Sequence, residues 1–115
     1  ENIEKIEVLD AGFMTRKVIK NGTSNVEISY HYTEISAENI NKWTAIEKLR
    51  NILNIGIDEI MAIGDNVNDL KMIEEAGIGV VMDNAWDDIK EKADYITKSN
   101  EEDGVAYAIE KFCDI

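Results

Sequence analysis

Ile60-Met61-Ala62-Ile63-Gly64-Asp65-Asn66-Val67-Asn68-Asp69 is the stretch whose reading decides the fold. Four apolar residues run straight into Gly-Asp, and two amides and a second acid follow. A short apolar run bounded by a turn signal reads as a buried strand, and between helical patterns as a parallel one. Ligands of open α/β sheets bind just beyond the carboxyl ends of such strands. Gly64 is expected to let the backbone turn sharply, so that Asp65 stands at the strand tip with its carboxylate free. Asp65 and Asp69 are hard oxygen donors four residues apart, across a turn that begins a helix. That pair suits a divalent, oxygen-loving ion such as magnesium, which keeps several waters and takes only one or two carboxylates. The plainer reading of the same residues is a capped helix start, with Asp65 or Asn66 capping and Asp69 near the helix dipole. A calcium-binding EF-hand loop is excluded, because Val67 and Leu70 stand where that loop needs an oxygen ligand and a glycine.

Working outward, a helix is predicted from about Asn68 to Ala76, with Leu70, Ile73 and Ala76 inward and Gly77 as its stop. Gly79-Val80-Val81-Met82 reads as a short buried strand, Ala85 to Ala93 as a short acidic helix and Tyr95-Ile96-Thr97 as another strand. Gly104 to Phe112 is the last helix, since Val105, Ala108, Ile109 and Phe112 follow helical spacing. Upstream, Lys42 opens a helix to about Asn54. Ile46, Leu49 and Leu53 form its inward stripe, Ala45 and Ile52 widen it, and Gly56 ends it. Alternating helices and strands define an α/β fold with a parallel sheet and helices on both faces. The first third differs. Residues 2–9 and 25–35 alternate as strands, 11–20 fit a short helix or a strand, and Asn21-Gly22 signals a turn between them. His31, between Tyr30 and Tyr32, reads as a strand-surface residue. The composition shifts near Ser36.

With 24 Asp and Glu against 12 Lys and Arg, the 115-residue chain carries a formal charge of −12. Nucleic acid and anionic membrane are poor partners for such a surface. Any phosphate site must be made locally cationic, so one metal ion and one well-placed lysine matter more than usual. No apolar run is long enough to cross a membrane. The single cysteine, Cys113, gives no disulfide framework and points to the cytoplasm. A chain beginning at Glu1 rather than Met is expected to be processed or cut from something longer.

Gly64-Asp65-x-x-Asn68-Asp69 resembles the fourth motif of the haloacid dehalogenase (HAD) superfamily of phosphohydrolases. Asn41-Lys42 upstream, Glu74 to Ala85, Ala93 to Thr97 and Asn100 to Val105 match, in order and spacing, the C-terminal half of a Cof-type sugar-phosphate phosphatase. The resemblance covers roughly Ser36 to Phe112 well and the first third weakly. It implies a partial HAD-like Rossmannoid core over residues 36–115, preceded over 1–35 by a remnant of an α/β cap and its return strand. It also implies roles. Lys42 is catalytic and holds a phosphate oxygen. Asp65 is a direct Mg2+ ligand, and Asp69 binds the metal through water or holds Lys42 in place. Asn68 bonds the phosphate or bound substrate. The implied partner is a small phosphorylated metabolite. Two residues depart from the pattern. Trp43 stands where many members have Gly, and either alters closure over substrate or packs under the helix. Asp83 precedes Asn84, where the family often has Gly. Asn84 is expected to tether a loop, and Trp86 to pack.

The family reaction needs an Asp-x-Asp nucleophile motif on the first core strand, and these residues do not supply it. The chain therefore reads as the C-terminal part of a phosphatase that is inactive alone, with a nucleophile elsewhere that forms an aspartyl phosphate. The absent strand would leave the 60–63 strand with an open edge, and through that edge, or through Asn25–Ile35, the chain is expected to associate, as a homo-oligomer. The alternative is a non-catalytic α/β binding or oligomerisation module derived from the same fold.

Overall fold

The computed structural model describes the backbone of residues 6–21 and 24–114, with side chains from 35 to 114. The chain divides into two compact units, Glu1–Asn39 and Ile40–Ile115.

The first unit is a hairpin. Strand β1 (Ile6–Asn21) pairs antiparallel with β2 (Ser24–Ala37). The segment 11–20, open between helix and strand in the sequence, is strand throughout. Thr15, Val18 and Ile19 are β-branched and fit a pleated surface. The register shifts between Asp10 and Met14. Gly12 lies inside that irregularity, where a strand glycine commonly marks a bulge. This slip is why the alternation blurs there and why one long strand reads as two pieces. The strands close on the pair Asn21↔Ser24, and Gly22 of the expected turn lies outside the described residues. His31 pairs with Met14; its side chain, too, lies outside them.

The second unit bears out the α/β class. Helix α1 spans Lys42–Leu53, strand β3 Met61–Gly64, α2 Leu70–Glu75, β4 Ile78–Val81, α3 Asp87–Lys90, β5 Tyr95–Ile96 and α4 Gly104–Phe112. The sheet order is β3-β4-β5, all parallel. Strand alternation sends Ala62, Gly79 and Val81 to one face and Ile63, Val80 and Tyr95 to the other. Helices α1, α2 and α3 cover the first face. Ile73, Val81, Ala85 and Ile89 pack as one buried cluster, and Trp43, Ala62 and Ala76 as a second. Gly79 is required there, because a Cβ would strike the Ile73 carbonyl of α2. On the second face α4 buries Ala108 fully, and the rings of Tyr95 and Phe112 meet edge to face at 5.2 Å.

Several expectations need correction. Helix α1 ends at Asn54, whose left-handed backbone (φ 55°) turns the chain, and not at Gly56. Asn is among the few residues that adopt that conformation at small cost. The stripe of α1 is buried only in its first half. Trp43 is 6% exposed and Ile46 packs beside it, but Leu49, Ile52 and Leu53 stand 55%, 76% and 56% exposed. The first turn of α1 lies over β3 and α2, and the second half reaches past them. Trp43 resolves its two alternatives by packing under the helix against the small side chains of Ala62 and Ala76. Trp86, expected to pack, is 52% exposed at the start of α3. The helix expected from Asn68 begins as a 3-10 turn, Val67–Asp69, and becomes α-helical at Leu70.

Candidate active site

The carboxyl ends of β3 and β4 define the rim where the sequence places its chemistry. Helix α1 opens on a capping box. The Asn41 side chain accepts from the Thr44 N–H at 3.0 Å, and Thr44 Oγ1 accepts from the Asn41 N–H at 3.0 Å. That cap fixes the first helical residue, Lys42, at the start of the helix. Its Nζ reaches Asp69 Oδ1 at 2.5 Å. Asp69 is only 4% exposed. Its other oxygen, Oδ2, accepts from the N–H groups of Asp65 and Asn66 at 3.0 and 3.1 Å. The Asn66 side chain in turn accepts from Val67 N–H at 2.7 Å, capping the 3-10 turn. The capped-turn reading and the site reading are thus the same geometry: the carboxylate that closes the turn also holds the lysine.

Gly64 serves this carboxylate differently from the expectation. A Cβ there would lie 2.5 Å from the Asp69 Cβ and 2.6 Å from its Cγ. The residue is glycine to let Asp69 fold back against the strand end, and not to reach a left-handed turn.

Asp65 stands exposed at the strand tip. Its Oδ2 accepts from Asn84 Nδ2 at 3.3 Å, and its other oxygen has no partner among the described residues. A hard, accessible carboxylate at this rim fits magnesium as one ligand among waters and further oxygens. Asp69 fits poorly as a second direct ligand, because three donors already occupy its oxygens. No cluster of three or more His, Cys, Asp or Glu side chains that could hold a metal occurs among the described residues. Asn68 is half-buried between Val67 and Asp69, and its carboxamide makes no hydrogen bond among the described residues.

The next rim carries Asp83 and Asn84. Asp83 Oδ1 pairs with Lys90 Nζ at 3.0 Å. Asn84 Oδ1 accepts from Asn100 N–H at 2.9 Å. The loop-tether role expected of Asn84 is one half of what it does; its contact with Asp65 is the half the sequence did not show.

A parallel sheet with an acidic strand tip, a buried carboxylate and a lysine at a helix start defines an α/β protein whose charged groups gather at the carboxyl ends of its strands. The comparisons with known proteins agree. The haloacid dehalogenase-like hydrolase family matches residues 2–109, and the chain belongs to that family. It is 42% identical over 120 residues to the 5-amino-6-(5-phospho-D-ribitylamino)uracil phosphatase YcsE of Bacillus subtilis (strain 168), covering 95% of this chain and 48% of the relative. A phosphoglycolate phosphatase of Methanobrevibacter smithii is 36% identical over 112 residues, covering 97% of this chain and 40% of its own. Among solved structures, the HAD subclass IIB sugar phosphatase BT4131 superimposes with a TM-score of 0.67 at 30% identity, over 85% of this chain and 35% of that one. A haloacid dehalogenase-like hydrolase from B. subtilis gives a TM-score of 0.67 at 36% identity, over 84% and 32%. The chain thus spans half or less of the length of these relatives. No helix among the described residues is long and apolar enough to cross a membrane.

Proposed function

We propose that these residues are the C-terminal part of a magnesium-dependent phosphatase that hydrolyses small phosphorylated metabolites, sugar phosphates or similar. One observation carries the reading: the Lys42 amine is held 2.5 Å from buried Asp69, whose other oxygen fixes the backbone of Asp65. The ammonium of Lys42 would sit on a phosphate oxygen as a point charge. Phosphoryl transfer is accelerated mainly by positioning and by offsetting developing charge, which a fixed cation supplies. The Asn68 carboxamide would donate to the same phosphate. Asp69 holds Lys42 and the turn, and any contact it has with the metal runs through water. Asp65 is the direct ligand; magnesium, when bound, neutralises charge on the phosphoryl oxygens. In this reading the attacking aspartate lies outside these residues and forms an aspartyl phosphate, which water then cleaves. Residues 1–35 are the end of a cap that selects the substrate, and 36–115 belong to the core. The relatives' names, a phosphoribitylaminouracil phosphatase and a phosphoglycolate phosphatase, support a small organic phosphate monoester as substrate class. A cytoplasmic location belongs to the same reading and fits the free thiol of Cys113.

A second reading, a non-catalytic module that associates with copies of itself, has its own support. The outer edge of β3 has no strand beside it among the described residues, and the Leu49, Ile52 and Leu53 stripe is exposed. Turnover separates the two. With magnesium and p-nitrophenyl phosphate the 115-residue chain is expected to give none. Joined to a preceding segment that carries Asp-x-Asp it is expected to hydrolyse the ester, and Lys42→Ala to remove most of that activity. Steady hydrolysis by the chain alone, abolished by Asp65→Asn, would overturn the placement of the nucleophile. Inactivity of the joined protein would favour the module.

A further inference from the structure

We propose that Asn84 is the positioning residue for Asp65, orienting its carboxylate toward the divalent cation; this rests on Asp65 being a metal ligand. The two ends of the Asn84 carboxamide face partners of opposite kind. The backbone N–H of Asn100 can only donate, so the atom it meets at 2.9 Å is the carbonyl oxygen. The amide nitrogen is therefore turned the other way, onto Asp65 Oδ2 at 3.3 Å, and a carboxylate can only accept. The orientation is self-consistent, and a flipped amide would set donor against donor and acceptor against acceptor.

The carrier of this amide is itself held. The Asp83 N–H donates to the Lys98 carbonyl at 3.4 Å, and Ala85 N–H to the Met82 carbonyl at 3.0 Å. The Asp83 carboxylate is pinned by Lys90. Asn84 thus projects from a turn fixed at both sides, directly after β4. Asp65 has the opposite character. It is exposed, and the Asn84 amide is the one group among the described residues that holds its carboxylate. Without that bond the Asp65 side chain would sample its rotamers freely. With it, one oxygen is occupied and the other is presented outward. Outer hydrogen bonds of this kind orient metal ligands, and their loss typically lowers metal affinity about 10–100-fold. The Ser99–Asp103 loop becomes part of the device, because its Asn100 N–H decides which way the Asn84 amide points.

The test is binding of manganese(II), a spectroscopic stand-in for magnesium, to the full-length protein without substrate, read by electron paramagnetic resonance. Asn84→Ala is expected to weaken binding by about tenfold or more. Asn100→Pro is the second variant. It removes the backbone N–H together with an exposed side chain that makes no hydrogen bond among the described residues, at the first residue of a 3-10 turn and after Ser99 in extended conformation (φ −69°, ψ 168°), where proline is tolerated. It touches no atom of Asp65, yet it is expected to weaken manganese binding in the same direction by a smaller factor. In an Asp65→Asn background, Asn84→Ala is expected to cause no further loss. Binding by both single variants within about twofold of wild type would overturn the proposal, even with a lowered melting temperature, since a mere loop tether moves stability and not affinity. Wild-type affinity in Asp65→Asn itself would overturn the reading of Asp65 as ligand. If Asn84→Ala does not fold, Asn100→Pro decides alone.

Discussion

Both oxygens of Asp69 are engaged, one by Lys42 and the other by two backbone N–H groups of its own turn. Replacing it with alanine would leave those two N–H groups without acceptors in a site where the side chain is almost fully buried. An unsatisfied buried donor costs about 1–3 kcal/mol, and these two lie in part-buried bonds of exposed residues, so Asp69→Ala should lower unfolding free energy by an amount of about that size in denaturant titration. The Lys42 share of the loss is small, since its side chain is 52% exposed and water can replace the pair. Gly64→Ala should act on the same carboxylate from the other side. Its Cβ would overlap Asp69, at a cost of about 1–3 kcal/mol for overpacking, and should raise KM by displacing the anchor of Lys42. At this scale the sequence was legible where one residue type has one use. Asp65 could be picked out at the end of an apolar run, whereas Lys42 at a helix start was singled out by the family resemblance and not by spacing. The split of labour between the two acids could not, because spacing does not say which carboxylate folds back onto backbone donors. Nor could the Asn84–Asp65 contact, which joins the ends of two neighbouring strands.

Helix α1 shows what one element adds. Its capping box, Asn41 with Thr44, lies directly beside Lys42. Asn41→Ala should therefore cost about 1 kcal/mol of stability, as helix caps do, and should also raise KM for a phosphorylated substrate as the first turn frays. An equal loss of stability with unchanged KM would mean that Lys42 is held by Asp69 alone. The helical period of α1 was plain in its apolar residues, but its burial was not. Periodicity shows that Ile46, Leu49 and Leu53 share a side; it cannot show how far along the helix a partner extends. The strands were clearer, because continuous apolar runs such as Gly79 to Met82 have one comfortable place, inside a sheet covered on both faces. The glycines misled twice, at Gly56 and Gly64. Asn54 took the left-handed position that Gly56 was expected to provide, and Gly64 was needed for space and not for torsional freedom.

At the scale of the whole molecule, the second unit has a sheet of three strands whose outer strand β3 has β4 as its only neighbour among the described residues. Unpaired strand edges and a nearby apolar stripe recruit partners. The isolated chain should self-associate, seen as a mass that rises with concentration in sedimentation or sizing, and Ile52→Lys should reduce that association. A clean monomer at high concentration would contradict this expectation. The charge of −12 adds a condition: repulsion between copies should make the association stronger as salt screens it. The fold class was readable because it rests on the order of elements, which the sequence carries in full. The completeness of the site was readable only as an expectation, from a motif that these residues do not contain.

The proposed role of Asp65 is to present its carboxylate to a metal at the strand tip where Lys42 steadies a phosphoryl group. The most direct measurement is kcat of Asp65→Asn in the full-length protein, taken with the melting temperature of the metal-free form. The account predicts a fall in kcat of roughly 10²–10³-fold or more, the scale lost when one charge-stabilising group is removed, with the melting temperature close to wild type. Turnover near the wild-type rate in a folded Asp65→Asn protein would contradict it.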